Sequence, residues 1–128
     1  MDHIYNDFSD KTMLIVEDCK LSYQLLKEIL EETGIHILHA ANGHDALKLC
    51  IQHQDIDIVL MDIKIPKMNG LETTQKIKLI RPDLPVLAQT AAVYPEIRLQ
   101  CKQAGCEGFI EKPISTYELM SALRKWLL

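Results

Sequence analysis

The sequence predicts an α/β fold, a doubly wound sheet of five parallel strands alternating with five helices. Three observations predict it. Apolar runs of strand length alternate along the chain with segments whose large apolar residues recur at helical spacing. One run, Ile56-Asp57-Ile58-Val59-Leu60-Met61-Asp62, has no regular polar alternation, the habit of a strand covered on both faces. And four of the five strands end on side chains with chemistry to offer: Glu17 and Asp18, Asp62, Thr90, and Lys112.

Residues 1–10 are polar and aperiodic, with Ile4, Tyr5 and Phe8 as their only large apolar residues. They read as a mobile tail or the remnant of a linker, leaving residues 11–128 as the domain. Thr12 to Val16 forms the first strand. Leu21, Leu25, Leu26, Ile29 and Leu30 then repeat at helical spacing up to Gly34, a C-terminal cap. Asp18 stands where it could cap that helix. Ile35 to Ala40 is a short strand, and Asn42-Gly43 precedes a helix carrying Ala46, Leu47, Cys50 and Ile51. After the central strand, Pro66, Asn69 and Gly70 lead into a third helix with Leu71, Thr74 and Ile77 inward, stopped by Arg81-Pro82. Pro85 to Thr90 is the fourth strand. Pro95 to Ala104 is a weaker helix closed by Gly105, and Gly108 to Lys112 is a short fifth strand followed by Pro113. Ser115-Thr116-Tyr117-Glu118 has capping-box spacing, and Leu119, Ala122, Leu123, Trp126 and Leu127 form the last helix's inward stripe.

Composition bounds the function. The 128 residues, 48% of them apolar, suffice for one domain and one core. No run approaches the roughly 18 apolar residues of a membrane span, and no leader opens the chain, so the expectation is a cytoplasmic protein without membrane insertion. A net charge of −4 and no basic stripe argue against direct nucleic-acid binding. Cys19, Cys50, Cys101 and Cys106 contain no CxxC pair; reduced thiols, most of them core filler, are expected.

Taken singly, each strand-end residue has a plain structural explanation: a cap, a turn hydroxyl, a solvated lysine. Their joint order is more informative, because a parallel sheet gathers all its carboxyl ends on one edge. Three converging carboxylates repel and call for a proton or a cation. An all-oxygen set suits Mg²⁺ better than zinc. A carboxylate nucleophile, Mg²⁺, an ammonium and a hydroxyl form a device for accepting a phosphoryl group.

The stretches Met13-Leu14-Ile15-Val16-Glu17-Asp18, Ala41-Asn42-Gly43, Asp57-Ile58-Val59-Leu60-Met61-Asp62, Ile65-Pro66-Lys67-Met68-Asn69-Gly70, Ala88-Gln89-Thr90-Ala91, Ala104-Gly105 and Phe109-Ile110-Glu111-Lys112-Pro113 resemble the receiver domain of two-component response regulators. The resemblance runs from about Lys11 to Leu128 and implies a flavodoxin-like fold. By position it implies that Asp62 is the phosphoacceptor, charged by a sensor histidine kinase or histidine phosphotransfer domain, with transfer and dephosphorylation catalysed by the domain itself. It implies Mg²⁺ held by Glu17, Asp18, Asp62 and the backbone carbonyl of Lys64. Thr90 and Lys112 would contact the phosphoryl group, and the Lys112–Pro113 peptide would be cis. Phe109 would be the switch aromatic that turns inward as Thr90 moves. The output surface, and a homodimer contact, would be the helix 95–104, the fifth strand and the last helix; the kinase would dock on the first helix near Leu21 and Tyr23. Lys64 and Ala92, two residues after Asp62 and Thr90, would tune water access. The Ala88-Gln89-Thr90-Ala91 run, with no effector sequence after Leu128, also resembles receivers of hybrid sensor histidine kinases.

Two alternatives compete with this reading. An Asp-nucleophile phosphohydrolase needs Asp-x-Asp at a strand's carboxyl end, and Lys64 occupies the second position. A receiver fold used only for binding, without phosphorylation, is the other. The five histidines (His3, His36, His39, His44, His53) read as structural or surface residues.

Overall fold

The computed structural model describes residues 7–64, 69–91 and 94–128. In them, strands and α-helices alternate: β1 (Thr12–Val16), α1 (Lys20–Leu30), β2 (His36–Ala40), α2 (Gly43–Gln52), β3 (Ile58–Asp62), α3 (Gly70–Ile80), β4 (Val86–Thr90), α4 (Pro95–Ala104), β5 (Gly108–Glu111) and α5 (Thr116–Leu127). A short 3-10 turn, Glu31–Thr33, extends α1. All strand pairs are parallel, in the order β2-β1-β3-β4-β5. The doubly wound five-stranded sheet is therefore as expected.

The period-two alternation of strand side chains divides the core. Met13, Ile15, Ile58, Leu60, Leu87 and Ile110 meet Leu26 and Leu30 of α1 and Leu119, Met120 and Leu123 of α5 on one face. Leu14, Val16, Val59, Met61 and Val86 meet Ala46 and Cys50 of α2 and Ile77 of α3 on the other. Ala88, Ile63, Cys101 and Phe109 form a smaller cluster beside α4. Every residue of β3 and β4 is buried, which is why their runs show so little polar alternation.

Helix starts follow local side chains. Asn42, Asn69 and Ser115 accept the backbone N–H of Asp45, Glu72 and Glu118 respectively, each satisfying a donor that the first turn leaves free. Gly105 ends α4 with φ 110°, and its N–H reaches the carbonyls of Cys101 and Lys102; a side chain would be strained in that region.

Several expectations need correction. Asp18 does not cap α1, whose N-cap position is Cys19 and has no side-chain cap. Leu21, Leu25 and Ile51 do not face the core; they are 70%, 53% and 57% exposed, because a stripe wider than the available sheet surface overruns onto solvent. Strands start later than their apolar runs: β2 at His36, β3 at Ile58 and β4 at Val86, with Ile56 buried just before its strand. β5 ends at Glu111, so Lys112 begins the next loop. Residues 7–10 are not simply tail. Phe8 is 1% exposed in the α1–α5 core, and its N–H donates to the Thr33 carbonyl at 2.7 Å. Residues 1–6, with Ile4 and Tyr5, lie outside the described residues, as do Ile65, Pro66, Lys67, Met68 and Ala92. Among the described residues no helix is long and apolar enough to cross a membrane.

Candidate functional site

The carboxyl edge of the sheet collects the predicted residues. β1 and β3 are neighbours with Val16 opposite Met61, so the next residue on each, Glu17 and Asp62, stand side by side. Glu17 is held by its N–H to the Ala40 carbonyl (3.0 Å), and its side chain is 1% exposed. Asp62 is the last residue of β3 and 5% exposed. From the other side, the Lys112 N–H donates to the Thr90 carbonyl (2.9 Å), carrying the chain past β5 and turning the lysine inward. The Lys112–Pro113 peptide is cis. Lys112 Nζ then lies 3.0 Å from both Glu17 Oε1 and Asp62 Oδ2.

The remaining carboxylate oxygens are oriented by backbone donors: Cys19 N–H to Glu17 Oε2 (3.2 Å) and Lys64 N–H to Asp62 Oδ1 (3.0 Å). Asp18, exposed, completes the acidic group. One oxygen from each of Glu17, Asp18 and Asp62 falls within a 4.8 Å span. Burial, and then the Asp62 carboxyl beside it, raise Glu17 above its ordinary value of 4.5, and the hydrogen bonds from Lys112 and Cys19 do not offset this. Burial alone would lower Lys112, but its hydrogen bonds to Asp62 and Glu17 outweigh that and hold the ammonium above its ordinary 10.5. One fixed cation among three carboxylates leaves a surplus of negative charge. A hard divalent ion with oxygen ligands fits that donor set.

Thr90 closes β4 and is 3% exposed. Strand alternation puts it on the α4 side with Ala88, and Phe109 pairs with Ala88 across the ladder. Phe109 is half-buried against Ala88 and Cys101, and the Arg98 guanidinium of α4 sits 4.8 Å from its ring centre. Thr90 and Phe109 thus share the sheet face that α4 covers. The Lys64 side chain is exposed; its backbone N–H is the contact to Asp62. Two of the thiols are held as thiols by their surroundings: burial pushes Cys50 up to about 11 and Cys106 up to about 12.

Three contributors were missed in the sequence. His39 stacks on Tyr23 at 3.8 Å between ring centres, and its Nε2 lies 2.8 Å from the Glu17 carbonyl, bracing the loop that carries both acids. A histidine at the carboxyl end of β2, level with the acid pair, was the available signal. Gln89, a polar residue inside an otherwise apolar strand, is 1% exposed. Gly70 opens α3 so close to β3 that a Cβ on it would lie 2.4 Å from the Asp62 carbonyl oxygen.

Comparison with known proteins accords with this geometry. The family model for the response regulator receiver domain matches residues 13–124. The polar-differentiation response regulator DivK of Brucella anthropi is 34% identical over 122 residues, covering 91% of this chain and 96% of its own. Among solved structures, the receiver domain of a Pseudomonas aeruginosa sensor histidine kinase, with a magnesium ion coordinated in its active-site cleft, superposes with a TM-score of 0.85 at 27% identity, covering 91% of this chain and 97% of its own. The Vibrio cholerae chemotaxis protein CheY4 gives the same TM-score at 24% identity, with 91% and 98% covered, which speaks for the fold.

Proposed function

Because the chain belongs to the response regulator receiver domain family, we propose that it accepts a phosphoryl group on Asp62 from a phosphohistidine of a partner protein. The observation that supports this best is the placement of Asp62: buried at a strand end, 3.0 Å from a lysine and within one 4.8 Å cluster of acids. A carboxylate oxygen of Asp62 attacks phosphorus; the new O–P bond forms as the N–P bond to the imidazole breaks, and the imidazole leaves with the bonding pair. Glu17, Asp18 and Asp62, with the Lys64 carbonyl, would hold Mg²⁺, which supplies charge neutralisation for the transferring oxygens. Lys112 stabilises charge on the same oxygens. The sheet fixes Asp62, so the acceptor is pre-oriented.

Readout follows on the α4 side. Thr90 donates its hydroxyl to the phosphoryl group, and Phe109 moves with it, changing the surface of α4, β5 and α5, which also serves any homodimer contact. Lys64, exposed beside Asp62, tunes phosphoryl lifetime through its ammonium; in Lys64→Ala the decay rate of the aspartyl phosphate changes, and an unaltered rate would refute that role.

The donor docks along α1. Exposed Leu21 and Leu25 offer apolar surface there. Beside them a groove of about 310 Å³ runs between α1 and the Lys112–Ile114 loop, lined mainly by Leu25, Leu26, Ile29, Pro113 and Ile114. The decisive experiment incubates the protein with Mg²⁺ and a small-molecule phosphoramidate. Intact mass shows one labile phosphate in the wild type and none in Asp62→Asn. No adduct on the wild type would overturn the reading in favour of a binding-only receiver.

A further inference from the structure

We propose that His39 is a positioning residue for the divalent cation, its ring holding the Glu17–Asp18 peptide so that both acids reach one ion. This rests on the metal reading above and deepens it. The ladder between β1 and β2 runs out at this point. Val16 lies opposite Ala40, and the Glu17 N–H still donates to the Ala40 carbonyl at 3.0 Å. In a parallel pair the next rung would bring the Asn42 N–H to the Glu17 carbonyl. Asn42 instead turns aside to cap α2, its side chain accepting the Asp45 N–H. The His39 ring takes the place of that rung, its Nε2 lying 2.8 Å from the Glu17 carbonyl oxygen. A carbonyl only accepts, so Nε2 carries the hydrogen in this contact.

That carbonyl belongs to the peptide joining the two acids, so its direction sets where Asp18 points. Glu17 needs little help: its carboxylate is buried and bonded to Lys112 Nζ at 3.0 Å and to the Cys19 N–H at 3.2 Å. Asp18 is exposed, and among the described residues no hydrogen bond holds its carboxylate. Its oxygen nevertheless falls in the 4.8 Å span shared with Glu17 and Asp62, which leaves the backbone to aim it. The imidazole is braced in turn. Tyr23 of α1 stacks on it at 3.8 Å between ring centres with the planes 9° apart, and the Tyr23 N–H donates to the Cys19 carbonyl at 3.0 Å. Residues 17–19 are thus pinned at both ends, by the His39 ring of β2 and by the first turn of α1. An exposed position on an edge strand asks only for a β-branched or aromatic residue; here the flat face and the ring donor are both used. Groups that orient metal ligands carry much of a site's affinity.

The test measures metal binding directly, on the full chain. Isothermal titration with magnesium chloride, and loss of the free Mn²⁺ signal in electron paramagnetic resonance, give the dissociation constants. His39→Phe keeps a stacking face and loses the donor, and its Kd for both ions rises about threefold to tenfold. His39→Gln, whose amide places a donor at similar reach, recovers most of the affinity. Tyr23→Leu, which removes the brace alone, shifts Kd the same way by about twofold. The Mg²⁺ concentration for half-maximal phosphorylation by a small phosphoramidate rises with Kd, whereas a merely structural role would lower Tm in chelator and leave that concentration unmoved. An unaltered Kd in His39→Phe, or a Kd for His39→Gln no better than that of His39→Phe, refutes the proposal and makes His39 an edge-strand residue. If the wild type binds neither ion, the metal reading itself fails and takes this role with it.

Discussion

Substituting Gly70 by alanine probes how tightly the phosphoacceptor strand is held. An ideal Cβ on Gly70 would lie 2.4 Å from the Asp62 carbonyl oxygen, 2.7 Å from Ile63 Cα and 3.1 Å from the Asp62 carbonyl carbon. All three are backbone atoms, so no rotamer change relieves the clash, and α3 must back away by about 1 Å to restore ordinary van der Waals distances. That retreat stretches the Gly70 N–H bond to the Ile63 carbonyl, now 3.0 Å, a loss of about 1 kcal/mol. Overpacking adds about 1–3 kcal/mol. Against this, Gly70 is not a positive-φ glycine, so alanine gains about 0.4–1 kcal/mol by restricting the unfolded chain. Sterics win, with a net destabilisation of about 1–3.5 kcal/mol, which lowers Tm by on the order of 10 °C in a domain of this size. Thermal unfolding followed by far-UV circular dichroism measures it. Because the displaced atoms belong to Asp62 and Ile63, phosphorylation by a small donor slows as well. A Gly70→Ala protein as stable as the wild type would show that the strand yields freely, and the rigid-acceptor argument would fall.

Three further predictions follow from named contacts. With divalent ions chelated, Glu17 holds its proton more readily folded than unfolded, so its contribution is fully present below the unfolded value near 4.5 and is lost as pH rises through the higher folded value. The Tm difference between wild type and Glu17→Gln should therefore move in the wild type's favour as pH is lowered toward 4.5; a pH-independent difference contradicts this. Arg98→Ala removes the cation over Phe109, worth about 0.5–1 kcal/mol at an exposed site, and should raise the small-donor phosphorylation rate roughly twofold to fivefold if the contact restrains the switch. Equal rates would show that Arg98 leaves the ring free to move. Glu107 accepts the Val86 N–H through Oε1 (2.8 Å) and pairs with Lys78 through Oε2. Glu107→Ala should cost about 1.5–3 kcal/mol in denaturant unfolding, and Glu107→Gln, which keeps the Val86 bond, distinctly less.

Much of this arrangement was legible because it depends on local order. Uninterrupted apolar runs identify buried strands, and parallel strands bring their ends together, so the sequence alone puts Glu17, Asp62 and Lys112 on one edge. What stayed hidden depends on contacts between distant segments. Helical periodicity marked Leu21 and Leu25 as apolar but could not say that the sheet ends before covering them. Phe8 looks like tail because one aromatic in a polar stretch shows no period; only its packing in the α1–α5 cluster makes it core. The Tyr23–His39 stack joins residues 16 apart on elements with different periods, and Gln89 looked like one polar position in a strand. Gly70 carried no hint of its closeness to Asp62, since a glycine before a helix has many uses.

The alternation of parallel strands with returning helices has a consequence for how this unit can be joined to others. β1 starts, and α5 ends, at the rim opposite Asp62; Trp126 near the end of α5 lies 3.7 Å from the position a Cβ would take on Gly108, the first residue of β5. Both termini of the fold therefore leave from the same remote side. A segment joined to either one begins its path away from the reactive edge.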